Sequence, residues 1–350
     1  MNKLLFVLKN REQSTGSGLS SGLINSVKLI QTLLDDNKIE SKIVEVQDNN
    51  YIDKEISQYK PTHVIIEAIW VVPSKLVELK KLYPNVKWIV RIHSETPFLA
   101  NEGIAMDWLY QYLKLDITIA TNSERMLNDL QLIYSDNKQF LNHLILLPNY
   151  YKIDTNIIIN KTNNGNMLNI GCFGAIRPLK NQLIQTMAAI AYVKKYKKGL
   201  NFHINASRLE NDGSNNVLKN IKALFKNNDN IDINLIQHDW YEHNDFVNVI
   251  KDTIDLGMQV SLSETFNIVT ADFVNQHIPV VVSNEIKWVN SSFRCTPTNI
   301  NEIITKMHIA LNDKKGYKKN IIELNKYNEN SKSYWLKQFK IKNCFLKNLI

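Results

Sequence analysis

Two acids eight positions apart, Glu264 and Asp272, stand in "SLSETFNIVTADFVNQHIPVVVS" (261–283), after an apolar strand and before a second apolar run. Ionised carboxylates accept hydrogen bonds from a ligand's donors. The helix start between them presents unpaired backbone N–H groups and the positive end of a helix dipole, which together attract an anion. Ser263 or Thr265 is positioned to cap that helix, "FNIV" supplies its first turn, and Asp272 falls about two turns in. The spacing alone decides nothing. With 16 Glu in the chain and acids at roughly a tenth of all positions, about one or two such pairs arise by chance.

Cations that could meet a diphosphate sit in "GAIRPLKNQ" (174–182), where Arg177 and Lys180 precede a helix. They read equally as two solvated basic residues. The loop "KNREQSTGSGLSSGLINS" (9–26) carries Gly16, Gly18 and Gly22 ahead of another helix. It is either a flexible turn or a phosphate cradle, for it lacks the third Gly of a dinucleotide fingerprint and the Lys of a P-loop. His93, in "RIHSETPF" (91–98), follows a strand and is either a structural imidazole or a site residue. Glu67 reads as an edge carboxylate or a weaker site candidate, and Trp240 in "QHDWYEH" (237–243) as core packing or a surface for a nucleobase.

These residues must be positioned by strands and helices in alternation. Apolar runs at 4–8, 42–46, 63–68, 87–92, 116–120 and 144–148 are separated by helical patterns such as Leu23, Val27, Ile30 and Leu34. Residues 149–166 break the pattern and read as a linker after Pro148. Alternation resumes with strands at 167–173, 200–206, 231–236, 255–262 and 278–283. The pattern predicts parallel β-α-β units in two domains, 1–148 and 167–330, with ligands at the C-terminal ends of the strands in a cleft the two sheets face. Residues 331–350 form a basic amphipathic helix that could pack back on the N-terminal domain.

The chain has 350 residues, 44% of them hydrophobic and 22% charged, enough for two cores. No apolar run reaches membrane-spanning length and the N-terminus does not read as a signal peptide, so a cytoplasmic protein is expected. Cys172, Cys295 and Cys344 suit reduced thiols and form no metal spacing. The formal net charge of +8 is uneven. Residues 1–150 hold 16 Lys/Arg against 17 Asp/Glu, whereas 314–350 hold 10 Lys against Glu323 and Glu329. The Lys-rich tail, with Trp335, Leu336, Phe339, Phe345 and Leu346, reads as a solvated helix or as a contact for an anionic surface.

Taken together, the two-acid segment, its closing "HIPVVVS" and the loop "FGAIRPLKNQ" resemble family-4-type glycosyltransferases of the GT-B fold. The first matches their Glu-x7-Glu donor motif and Gly-x-Pro-Val-Val strand, the last their Gly-Arg-x-x-x-x-Lys diphosphate loop. "LLPNYY" resembles their Pro-Asn interdomain stretch. The resemblance implies two Rossmann-like domains, the C-terminal one holding a nucleoside-diphosphate sugar and the N-terminal one a hydroxyl acceptor, whether glycan, lipid-linked glycan or modified nucleic acid. It implies that Asp272 holds the ribose, that Glu264 and His93 lie at the transferred sugar, and that Lys180 with the N–H groups of Phe266, Asn267, Ile268 and Val269 binds the diphosphate. Transfer is then retaining. No cofactor or metal is expected, the nucleotide-sugar being a substrate, and no Asp-x-Asp pair occurs. The chain departs from the pattern at Ala175 for Arg, Thr265 and Asn267 for Gly, Asp272 for Glu and His277 for Gly. The departures at Ala175, Asn267 and Asp272 leave open a non-catalytic GT-B protein that binds nucleotide or glycan.

Overall fold

The computed structural model describes residues 2–10, 21–154, 166–209, 213–228 and 230–340. The chain divides into two compact units. One holds the residues up to Lys152 with those from Asn328 on, and the other is Ile153–Tyr327.

The first unit is built on six parallel strands: β1 (Lys3–Lys9), β2 (Glu40–Val46), β3 (His63–Glu67), β4 (Lys87–Ile92), β5 (Thr118–Thr121) and β6 (Leu144–Leu146), in the order β2-β1-β3-β4-β5-β6. Each reads as a near-continuous apolar run because helices cover both sheet faces. The period of two then sorts side chains between two cores. Leu5, Val7, Val64, Ile66 and Val90 enter one core. Leu4, Phe6, Leu8, Ile65 and Ile89 enter the other, with Val27, Ile30 and Leu34 of the helix Ser21–Asp36.

Trp335 and Phe339, from the last helix (Gly316–Phe339), complete that second core, and Leu336 packs against it. The Trp335 ring lies 6.1 Å from Phe6, and its indole N–H donates to the Pro148 carbonyl at 2.8 Å. Asn328 grips Tyr151 twice, accepting from its N–H at 3.1 Å and donating to its carbonyl at 2.6 Å. As far as the tail is described, its aromatic face is spent on the fold. Phe345 and Leu346 lie outside the described residues.

The second unit repeats the plan with β7 (Met167–Gly171), β8 (Gly199–Asn205), β9 (Ile233–His238), β10 (Leu256–Gln259), β11 (Val280–Ser283) and β12 (Arg294–Cys295), ordered β12-β11-β10-β7-β8-β9 and parallel throughout. The two-residue β12 is too short to leave a period in the sequence. Strand order reverses between β1 and β3 in one sheet and between β7 and β10 in the other. At such reversals neighbouring loops part, leaving a crevice beyond the C-terminal strand ends. Among the described residues no helix is long and apolar enough to cross a membrane.

Candidate functional site

In the second unit, the loops after β7 and β10 flank the reversal, and side-chain amides stitch them together. Asn181 donates to the Val260 carbonyl at 2.9 Å, Gln185 accepts from the Val260 N–H at 2.9 Å, and Gln259 donates to the Phe173 carbonyl at 2.9 Å. The backbone adds Leu262 N–H to the Leu179 carbonyl at 2.9 Å. These bonds hold a short 3-10 turn, Pro178–Lys180, against the β10 loop.

The turn delivers Lys180 to Glu264, and the two side chains form an ion pair with 15% and 12% exposure. Asn267 donates to the same Glu264 oxygen at 3.0 Å and to Gln259 Oε1 at 3.0 Å. Burial pushes the Glu264 carboxyl up, but Lys180, then Arg177 and the Asn267 amide, outweigh it and hold the group below its usual value. The result is an ionised carboxylate within a cationic shell. Arg177, two residues beyond the position where the resemblance has Arg, contributes its charge here.

The helix Ile268–Asn275 starts later than expected. Asn267 is its cap, accepting from the Thr270 N–H at 2.8 Å, so neither Ser263 nor Thr265 caps it. Of the four residues expected to offer N–H groups, only Ile268 and Val269 stand in its first turn, where a helix has no acceptors of its own. Phe266 is buried instead, its ring stacked on Trp288 at 5.5 Å and Tyr327 at 5.0 Å. Gly257 on β10 seats the helix: a Cβ there would lie 2.4 Å from the Phe273 ring.

Asn267 has φ 59° and His277 φ 58°, so two of the positions where the resemblance has glycine keep the left-handed backbone that glycine would allow. Asn tolerates that region better than other residues with a Cβ. The sequence therefore departs from the motif while the chain path does not.

Asp272 is the fifth residue of its helix, little more than one turn in, and 1% exposed. Its Oδ1 is 2.8 Å from His243 Nε2, at the start of the helix His243–Thr253. Trp240 carries the Arg208 guanidinium 4.5 Å above its ring centre. His238 is hydrogen-bonded to His203 and Tyr241, both at 2.9 Å. Gly16 and Gly18 lie outside the described residues.

In the first unit His93 follows β4, and its Nε2 is bonded to Glu67 Oε2 at the end of β3. Arg91 locks this pair, reaching Glu67 at 3.1 Å, the Leu147 carbonyl at 3.0 Å and Asn149 at 2.6 Å. Burial and then Arg91 lower the His93 pKa against the pull of Glu67, favouring a neutral ring. Burial raises the Glu67 carboxyl, but Arg91 and His93 prevail and lower it. Glu67 is thus a fully buried orienting carboxylate and no edge group. The sequence pattern did not reveal Arg91, Arg208, Gln259 or His243 as participants, because each reaches its partner across strands or helices far apart in the chain.

No family model matches the chain, and no curated protein matches its sequence. Solved structures do match it. One is a UDP-forming α,α-trehalose-phosphate synthase from Burkholderia xenovorans, at 9% identity and TM-score 0.69, covering 97% of this chain and 99% of that one. The E. coli trehalose-6-phosphate protein bound with UDP-2-fluoro glucose matches at 11% identity and TM-score 0.70, with 97% and 99% covered. S. aureus TarM in complex with UDP matches at 16% identity and TM-score 0.58, over 79% of this chain and 55% of that one. The chain has the GT-B fold, with two Rossmann-like units.

Proposed function

We propose that the protein is a glycosyltransferase that moves a sugar from a nucleoside diphosphate, uridine diphosphate first among the candidates, to a hydroxyl of a sugar-containing acceptor. The observation that carries this reading is the Lys180–Glu264–Asn267 cluster on the two loops that flank the strand reversal of the second sheet. The matched proteins whose descriptions mention UDP support the choice of base.

In this reading the ammonium of Lys180, the Arg177 guanidinium and the first-turn N–H groups of Ile268 and Val269 receive the diphosphate. They stabilise the charge that gathers on it as the anomeric carbon becomes cationic. Glu264, kept ionised, orients Lys180 and accepts from hydroxyls of the transferred sugar. The transfer is retaining and needs no metal ion, the leaving-group charge being met by these groups. His93, held neutral by burial and by Arg91 and oriented by Glu67, is a hydrogen-bonding group of the first unit for the hydroxyl acceptor.

Calorimetric titration with uridine, guanosine and adenosine diphosphates tests the reading, together with release of nucleotide from UDP-glucose and UDP-N-acetylglucosamine in the presence and absence of chelator. Micromolar binding of one diphosphate, weakened about tenfold or more in Lys180→Ala, is expected. Absence of binding by all three would remove it.

A further inference from the structure

The short, buried acid of the two-acid segment does not end in solvent. Asp272 lies 1% exposed beneath the helix His243–Thr253, and its carboxylate is joined to the His243 imidazole at 2.8 Å. The two differ in what a ligand can reach: 29% of the His243 side chain is exposed, against 2% of the Asp272 side chain. His243 follows β9 by a short loop that also carries Trp240, so both stand beyond the C-terminal end of that strand.

We propose that His243, oriented by Asp272, is the residue that binds the ribose hydroxyls of the nucleotide; this rests on the donor reading above. The chemistry follows from reach. Aspartate is one methylene shorter than glutamate, and a carboxylate withdrawn into the fold cannot chelate a diol directly. An imidazole bonded to it extends the same polarity outward by the width of the ring. The carboxylate fixes the ring plane and favours the Nε2–H tautomer, as carboxylates do for functional histidines. A neutral ring accepts from a hydroxyl and a protonated one donates to it, so either form pairs with ribose. Asp272 is then a positioning residue, and His243 the binding residue.

The consequence is specific to the sugar of the nucleotide. The test is titration of the wild type, His243→Ala, Asp272→Asn, Asp272→Ala and Lys180→Ala with uridine, guanosine and adenosine diphosphates and with the 2′-deoxy and 3′-deoxy forms of whichever binds. The wild type is expected to prefer the ribonucleotide over at least one deoxy form by about tenfold or more, the value of a hydrogen bond that a charged partner reinforces. His243→Ala should lose that preference by weakening only the ribonucleotide, and Asp272→Ala should follow it. Asp272→Asn, whose side-chain oxygen still accepts from the imidazole, should keep most of the preference. Lys180→Ala should weaken ribo and deoxy forms alike. The ratio of the two affinities is insensitive to an unfolded fraction, which lowers both. If His243→Ala retains the preference, the ribose role of His243 is overturned while the donor reading stands. If no diphosphate binds the wild type, both fall together.

Discussion

Lys180 and Glu264, 84 residues apart in sequence, meet as an ion pair across the strand reversal of the second sheet. Each is supplied by a loop that the other's loop holds in place, so neither position is set by its own segment. Removing the cation leaves an acid in a pocket that disfavours its charge. Lys180→Met is expected to lower stability by roughly 2–4 kcal/mol at pH 7, measured by urea unfolding.

That loss should fade in acid. The folded pKa of Glu264 is below the ordinary 4.5, so its contribution is present above that value and disappears as pH falls through the folded pKa. The stability gap between wild type and Lys180→Met should therefore narrow between neutral pH and about pH 3. A gap that stays constant over that range would show that the carboxylate is not the group involved.

Arg91 and Glu67 are both fully buried. Arg91→Met takes the buried cation from Glu67, leaving it the His93 imidazole, and also removes donors to the Leu147 carbonyl and Asn149, so a loss of roughly 3–5 kcal/mol is expected. In Glu67→Gln the fold should persist while the pKa of His93 falls further, because Glu67 is the group that raises it. Imidazole shifts followed by NMR against pH would check this.

Trp335 tests whether the last helix is part of the first unit's core. Trp335→Ala empties a fully buried site and leaves the Pro148 carbonyl without its 2.8 Å donor. The expected cost is roughly 3–5 kcal/mol in chemical denaturation. Truncation before Asn328 should be more damaging still, since it also removes the double grip on Tyr151.

Asn267 combines a cap with a left-handed backbone. Asn267→Ala should lose about 1 kcal/mol for the cap and about 1 more for forcing a methyl side chain into that region. Asn267→Gly should lose less, because glycine adopts φ 59° without strain. Thermal unfolding of the two variants side by side reads the difference.

Trp240 is half-buried under Arg208, so Trp240→Ala should move the melting temperature little. If its ring stacks on the base, nucleotide affinity should drop about tenfold, at the lower end of what base–aromatic stacking supplies. Equal affinity in wild type and variant would assign Trp240 to packing alone.

The strands were legible because a parallel sheet covered on both faces writes itself as largely apolar runs of five to eight residues, and all but Arg294–Cys295 left such a run. Glu264, Lys180 and Asp272 were legible as chemistry, since their types and their places after strands are local facts. Their partners were not. Pairing of Lys180 with Glu264, of Asp272 with His243 and of Glu67 with Arg91 and His93 depends on which strands lie side by side, and strand order is a long-range outcome of packing. Left-handed backbone at Asn267 and His277 was likewise hidden, because residue type only biases φ while the turn into the next element decides it. The sequence by itself determined the alternation of elements and the chemical groups available; the tertiary structure decided which of those groups meet, because a hydrogen bond requires about 3 Å of separation and only the fold brings distant segments that close.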